Sequence, residues 1–263
     1  MEKLQIKTKI IFHKKLKSNY WHLVFESGVI ARNSRPGQFV EVKVNSGTDP
    51  LLRRPISIHS VSGAKVKLIY EVVGKGTEIL SDKKPGDLLD VIGPLGNGFE
   101  YSRIAKELVG GKNILVAGGM GVAPLVFLAE KIKSSKPLVL IGVRNKEQVL
   151  CLQEFKALGC KVIIATDDGS LGFKGKVTEL LKAVLSENRK AAKPENIYAC
   201  GPQPMLKAVA RISYENNIAS QLSLERHMAC GFGVCLGCVV STKFGYKRVC
   251  KDGPVFSGKE LNW

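Results

Sequence analysis

At 263 residues the chain can bury one large or two medium cores, and 44% hydrophobic with 24% charged residues is a soluble globular composition. The formal net charge is +17, yet the basic residues are dispersed, aromatics make up only 7%, and no nucleic-acid-binding motif appears; the charge reads as a solvated surface biased towards acidic cofactors or partners. The opening stretch MEKLQIKTKIIFHKKLK lacks the apolar centre of a signal peptide, and the longest uncharged stretch, 113–129, carries Gly118, Gly119, Gly121 and Pro124, so no membrane span and a cytoplasmic location are expected.

The first hundred residues predict strands. QFVEVKV (38–44), PISIHSV (55–61) and VKLIYEVV (66–73) are rich in Val and Ile and are separated by turn signals such as RPGQ and NSGTDP. Short strands at this spacing predict a small antiparallel barrel or sandwich. Within it, Pro55 disfavours helix at Arg54, so the pair enters its strand extended, with the Arg54 guanidinium free to fork onto a phosphate. Ser57 lies two residues on and can offer its hydroxyl to a neighbouring ring system. Downstream, LIYEVVGKGTEIL (68–80) leaves a strand through GKGT into a helix start, where backbone N–H groups suit a diphosphate.

From about residue 105 the pattern changes. NILVAGG (113–119), PLVLIGV (137–143), KVIIAT (161–166) and NIYACGP (196–202) alternate with helical periodicity: Leu125, Leu128, Ala129 and Ile132 share one face, and Met205, Ala208, Val209 and Ile212 share another. This alternation predicts βαβ units and a parallel sheet. VAGGMGVAPL (116–125) follows a strand and opens a helix, with Pro124 suited to its first turn; its glycines would admit a dinucleotide, although no acid for a ribose stands at the usual distance. CGPQPML (200–206) repeats the arrangement and puts Cys200 at a strand's carboxyl end. Cys151 and Cys160 read as small buried hydrophobes.

The tail holds four of the seven cysteines. Cys230, Cys235, Cys238 and Cys250 are spaced C-x4-C-x2-C-x11-C, which is the spacing of plant-type [2Fe–2S] ligation; Gly231, Gly233 and Gly237 let the backbone wrap such a cluster. Structural zinc and disulfides are the alternatives, the first disfavoured by the single close pair and the second by a reducing compartment. The expected plan is a β barrel plus α/β: 1–103 a barrel, 104–222 a parallel-sheet domain, 223–263 a cluster-binding tail.

The motifs RPIS, GKGT, GPLGNGF, GGMGVAPL, CGPQPM and the cysteine tail, in this order, resemble the ferredoxin–NADP reductase superfamily. Within it, SLERHMACGFGVCLGC…RVCKDGPVF looks like the electron-transfer subunits of class B dihydroorotate dehydrogenase. The resemblance implies FAD in the barrel at Arg54, Pro55, Ile56, Ser57, Ile69, Tyr70, Glu71, Gly76 and Thr77, and NAD at Gly118, Gly119, Gly121, Pro124, Cys200, Gly201 and Pro202. It also implies a [2Fe–2S] cluster on Cys230, Cys235, Cys238 and Cys250. Ser57, near the flavin's reactive nitrogen, and Cys200, near the nicotinamide, are the candidates for catalytic roles. Glu71 stands where relatives often carry Arg or Lys. The implied partner is an FMN-containing dihydroorotate dehydrogenase catalytic subunit, two of each chain, in pyrimidine (UMP) synthesis. Arg144 leaves NADP open beside NAD. The rivals are a small subunit of a ferredoxin:NAD(P)H oxidoreductase or hydrogenase, in one variant of which an Asp replaces the first cluster ligand, and a zinc-stabilised interaction module.

Overall fold

The computed structural model describes residues 4–101, 113–187 and 194–263. Its first strand, β1 (Leu4–Lys17), alternates partly buried and exposed positions from Leu4 to Ile10, so a segment that reads as merely charged is a barrel stave. It is followed by β2 (Tyr20–Glu26), α1 (Gly28–Asn33), β3 (Phe39–Lys43), β4 (Arg54–Ser62), β5 (Lys65–Glu71), α2 (Lys75–Ser81) and β6 (Leu88–Leu95). The six strands close in the order β1-β2-β5-β4-β3-β6, and every pairing is antiparallel. Leu23, Phe25, Val40, Val42, Ile58, Leu68, Leu89 and Val91 fill the interior.

The second half supplies β7 (Asn113–Gly118), α3 (Val122–Ile132), β8 (Leu138–Val143), α4 (Leu152–Ala157), β9 (Lys161–Thr166), β10 (Phe173–Lys174), α5 (Val177–Glu187), β11 (Asn196–Cys200), α6 (Gln203–Glu215) and β12 (Ala219–Ser223). These strands are mutually parallel in the order β10-β9-β8-β7-β11-β12. β7 is buried at all six positions, as a strand covered on both faces must be. Its neighbours β8 and β11 leave it in opposite directions, so a crevice opens beyond the carboxyl ends of β7 and β11.

Nine of the eleven residues of α3 are buried, because the helix serves two cores. Leu125, Leu128, Ala129 and Ile132 pack on the sheet, while Phe127 sits in the barrel cluster. On α6 the stripe that faces the core is Leu206, Val209, Ala210 and Ile212, whereas Met205 and Ala208 turn towards the crevice.

The tail forms a hairpin, β13 (Val239–Thr242) with β14 (Gly245–Arg248), then returns as β15 (Val255–Ser257), antiparallel to β12 at the sheet edge. Cys238, Val240, Val249, Cys250, Phe256 and Leu261 share one core with α5 and α6. The expected limit at 222/223 therefore falls within β12, and the one at 103/104 lies outside the described residues. No described helix is long and apolar enough to cross a membrane.

Candidate redox site

A cavity of about 550 Å³ lies between the barrel and the crevice. Arg54, Pro55, Ile56 and Ser57 of β4 line it, with Ile69, Tyr70 and Glu71 of β5, and Thr77 of α2. Register explains the β4 wall: Ser57 is paired with Phe39 and Arg54 with Val42, so the strand is held along its whole length. The Arg54 side chain lies against Gly76, where a Cβ would come within 2.2 Å of Nε. Gly76 therefore supports the arginine and does not itself line the cavity. The Thr77 hydroxyl is engaged locally, accepting from the Val73 N–H at 2.9 Å and donating to the Gly74 carbonyl at 2.9 Å. Tyr70 is anchored from behind. The Lys83 carbonyl can only accept, so His13 Nδ1 donates to it at 2.7 Å, and His13 Nε2 accepts a hydrogen bond from the Tyr70 hydroxyl at 2.9 Å.

A second cavity, about 620 Å³, occupies the crevice. Gly118, Gly119 and Gly121 line one side, and Gly201 and Pro202 the other. Here the glycines are sterically required. A Cβ on Gly121 would stand 2.0 Å from the Cys200 carbonyl oxygen, and one on Gly201, at φ +155, 2.9 Å from the Gly118 Cα. Pro124 is buried in the first turn of α3 and lines neither cavity. Arg144, just after β8, and Asp167, just after β9, face each other across the far end, with Lys176 paired to Asp167 at 2.7 Å. Asp167 is an acid in this cavity that spacing did not reveal, because it follows the third strand of the sheet rather than the second.

The two cavities adjoin, sharing Glu71, Met120 and Glu225. Crowding at this junction raises the Glu225 carboxyl above its ordinary range, although the residue keeps contact with solvent. Cys200 lines the flavin-side cavity, directly before Gly201 in the other; burial first, and the Glu225 charge second, push its thiol far up and favour its protonated form.

The strand carrying Ser223 continues along this cavity as Leu224, Glu225, Arg226, His227 and Met228, and Cys230 follows two residues later. Of the four thiols, Cys230 neighbours Cys235 and Cys250 neighbours Cys238, with Cys230 also near enough to act on Cys250. Burial opposes ionisation of Cys230, but the amides of Cys235, Phe232 and Val234 overcome it and bring the thiol down to about 6; burial and the Cys238 contact push Cys250 up to about 12. Val234 N–H reaches Cys230 Sγ at 3.4 Å and Cys250 N–H reaches Cys238 Sγ at 3.4 Å. Gly231 (φ +74) and Gly233 (φ +91) make the turns that aim these amides inward. Arg248 closes the loop, donating to the Gly233 carbonyl at 3.1 Å and to Asp252 at 2.9 Å.

A two-iron cluster fits this donor set. Four thiolates around one zinc would lie about 3.8 Å from one another. Among the described residues, no three of these sulfurs come within 4.8 Å of each other, and the pairwise arrangement matches one pair per iron. Glu41, missed in the sequence, packs under Gly231: a Cβ there would stand 2.4 Å from its Cγ. It is fully buried, neither carboxylate oxygen has a partner among the described residues, and burial pushes its pKa up to about 8.

Comparison with known proteins agrees with this geometry. Residues 225–262 match the iron-sulfur cluster binding domain of dihydroorotate dehydrogenase B, and 115–211 match an oxidoreductase NAD-binding domain. The chain is similar to dihydroorotate dehydrogenase B (NAD(+)) electron transfer subunits of Desulforamulus reducens, at 44% identity over 93% of each chain, and of Caldanaerobacter subterraneus subsp. tengcongensis, at 38% over 98% of each. It superimposes on a chain of the NADH-dependent reduced ferredoxin-NADP oxidoreductase structure with a TM-score of 0.82 at 29% identity, covering 97% of this chain and 90% of that one. With identities this high over nearly its whole length, the chain belongs to the family of dihydroorotate dehydrogenase B electron transfer subunits.

Proposed function

We propose that this chain carries electrons from an FMN-containing dihydroorotate dehydrogenase catalytic subunit, through a [2Fe–2S] cluster and FAD, to NAD⁺ in pyrimidine synthesis. The continuity of one segment carries the reading: Met228 borders the flavin cavity and Cys230 lies two residues, at most about 7 Å of chain, beyond it. When bound, the cluster supplies one-electron transfer and the flavin couples it to two-electron exchange with the nicotinamide.

The protein's part is placement. Arg54 would hold the flavin diphosphate with a charged fork, Ile56 and Ile69–Glu71 would border its ring, and Ser57 would donate a hydrogen bond to the ring. The Gly118–Gly121 turn would admit the dinucleotide backbone. Glu71 and Glu225 stand where the two ligands meet. Asp167 would accept ribose hydroxyls and repel a 2′-phosphate, which favours NAD despite Arg144. Cys230, Cys235, Cys238 and Cys250 would ligate the cluster, and the exposed Cys235 would face the partner. We retain 1–103, 104–222 and 223–263 as the working division into flavin, nucleotide and cluster parts. A cytoplasmic assembly of two copies of each chain follows from the same reading. Cys230 separates this chain from the rival ferredoxin-linked subunit that carries Asp there.

The test is co-purification with the catalytic chain. Dihydroorotate-dependent NAD⁺ reduction by the pair, and NADH-to-dye transfer by this chain alone, are expected. A pair that assembles yet reduces no NAD⁺ would overturn the assignment. Ser57→Ala is expected to slow NADH-to-dye transfer while FAD stays bound; an unchanged rate removes Ser57 from the reaction.

A further inference from the structure

Outside the redox site, three side chains able to ligate a metal converge from two segments, His59 from β4 and Cys151 with Glu154 from the start of α4. His59 on β4 is 4% exposed. Its Nδ1 lies 2.9 Å from the Ala123 carbonyl on α3, and since that oxygen only accepts, Nδ1 carries the proton and Nε2 presents a lone pair. Nε2 lies 3.8 Å from Glu154 Oε1. Cys151 Sγ completes the group, hydrogen-bonded to Glu154, and the three ligand atoms lie within 4.8 Å of one another.

The surroundings are those of a ligand set. An imidazole whose other nitrogen is held by a backbone carbonyl is the usual orientation of a metal-bound histidine. Burial keeps the His59 ring neutral, as a ligand must be, while burial and the Glu154 charge raise the Cys151 thiol, so its proton must be displaced by the metal itself. Cys151 takes a left-handed backbone (φ +57, ψ 14), rare for a residue with a Cβ, and this conformation fixes the thiol next to the histidine. The Glu154 side chain is 48% exposed, so one member of the group is open to solvent.

We propose that His59 Nε2, Cys151 Sγ and the Glu154 carboxylate form a binding site for a thiophilic divalent cation of the zinc class. Nitrogen, sulfur and one carboxylate oxygen suit Zn²⁺ and disfavour Mg²⁺ or Ca²⁺, which take oxygen ligands. Ligand atoms around one zinc stand about 3.2–3.8 Å apart, so small side-chain rotations of Cys151 and Glu154 complete the set. Binding expels the Cys151 proton to solvent. It also ties β4 of the barrel to the loop before α4, at a place where Ala123 and, two residues from His59, Ser57 border the flavin cavity.

The FAD- and cluster-loaded chain, titrated anaerobically with Zn²⁺ by calorimetry while its visible spectrum is followed, tests the site. One zinc per chain is expected with the cluster spectrum and iron content unchanged, together with a raised Tm. Cys151→Ser and Glu154→Gln should each weaken binding at least about tenfold and abolish the Tm rise. Glu154 is half exposed, so its variant keeps the test valid should Cys151→Ser fold poorly. No zinc uptake with an intact cluster, uptake only as iron is lost, or equal affinity in a folded variant overturns the proposal.

Discussion

Arg54 shows how much a single side chain depends on its neighbour. Its guanidinium is already oriented by the Leu52 carbonyl at 2.6 Å and by contact with Gly76, so little rotamer freedom is left to lose on meeting a phosphate. Removing such a charged hydrogen-bond donor costs about 1.5–3 kcal/mol. Arg54→Ala is thus expected to weaken FAD binding by about 10- to 150-fold, measured by quenching of flavin fluorescence on reconstitution. His59 sets a pH dependence. Burial, reinforced by His22 and Lys67, lowers its pKa to about 4 against the Ala123 hydrogen bond. A histidine depressed in the folded state leaves the unfolded chain with more protons between pH 6.5 and 4, so stability rises with pH across that window and is lost as pH falls. His59 alone accounts for about 2 kcal/mol of loss between pH 7.5 and 5. Urea melts at the two pH values should show this difference shrink by that amount in His59→Gln.

Helix α3 is the element that makes barrel and sheet one body. Its sheet-facing stripe was readable from the spacing of Leu125, Leu128, Ala129 and Ile132, but Phe127 lies off that stripe and enters the barrel core with no exposed surface. Phe127→Ala is expected to cost about 3–5 kcal/mol by leaving a cavity, seen as a lower urea midpoint. Because α3 also starts at the Gly118–Gly121 turn, the same variant should raise the KM for NADH. The α6 helix makes a related point: Met205 and Ala208 fit a helical stripe with Val209, yet they border the nucleotide cavity, a distinction that periodicity alone does not make.

At the scale of the molecule, the loop that carries Cys235 lies at the surface, with Cys238 and Cys250 buried behind it. Cys235 is exposed between Val234 and Leu236, 72% and 57% exposed, an apolar rim around the cluster loop. The partner surface proposed above would cover this rim. Val234→Asp combined with Leu236→Asp is therefore expected to abolish co-purification with the catalytic chain while NADH-to-dye transfer stays near wild type; retained assembly would place the interface elsewhere. The +17 charge is spread over this whole surface, and screening of exposed charges beyond about 10 Å at ordinary salt limits it to a general attraction for an acidic partner.

The sequence alone determined what depends on local chemistry. Strand and helix periods, turn residues and the C-x4-C-x2-C-x11-C spacing all act over a few residues; they announced the barrel and the parallel sheet, and marked Arg54, Ser57, the glycine turns and the four cysteines as candidates. Tertiary structure decided what depends on contacts between distant segments. Glu41 beneath Gly231, Glu225 and Glu71 at the junction of two cavities, Asp167 after the third sheet strand, β15 returning to β12, and His59 meeting Cys151 and Glu154 are all such cases. None has a local signature, since each depends on chain closure bringing in partners up to about two hundred residues away, and buried Glu41 and His59 acquire their properties only when that closure removes water.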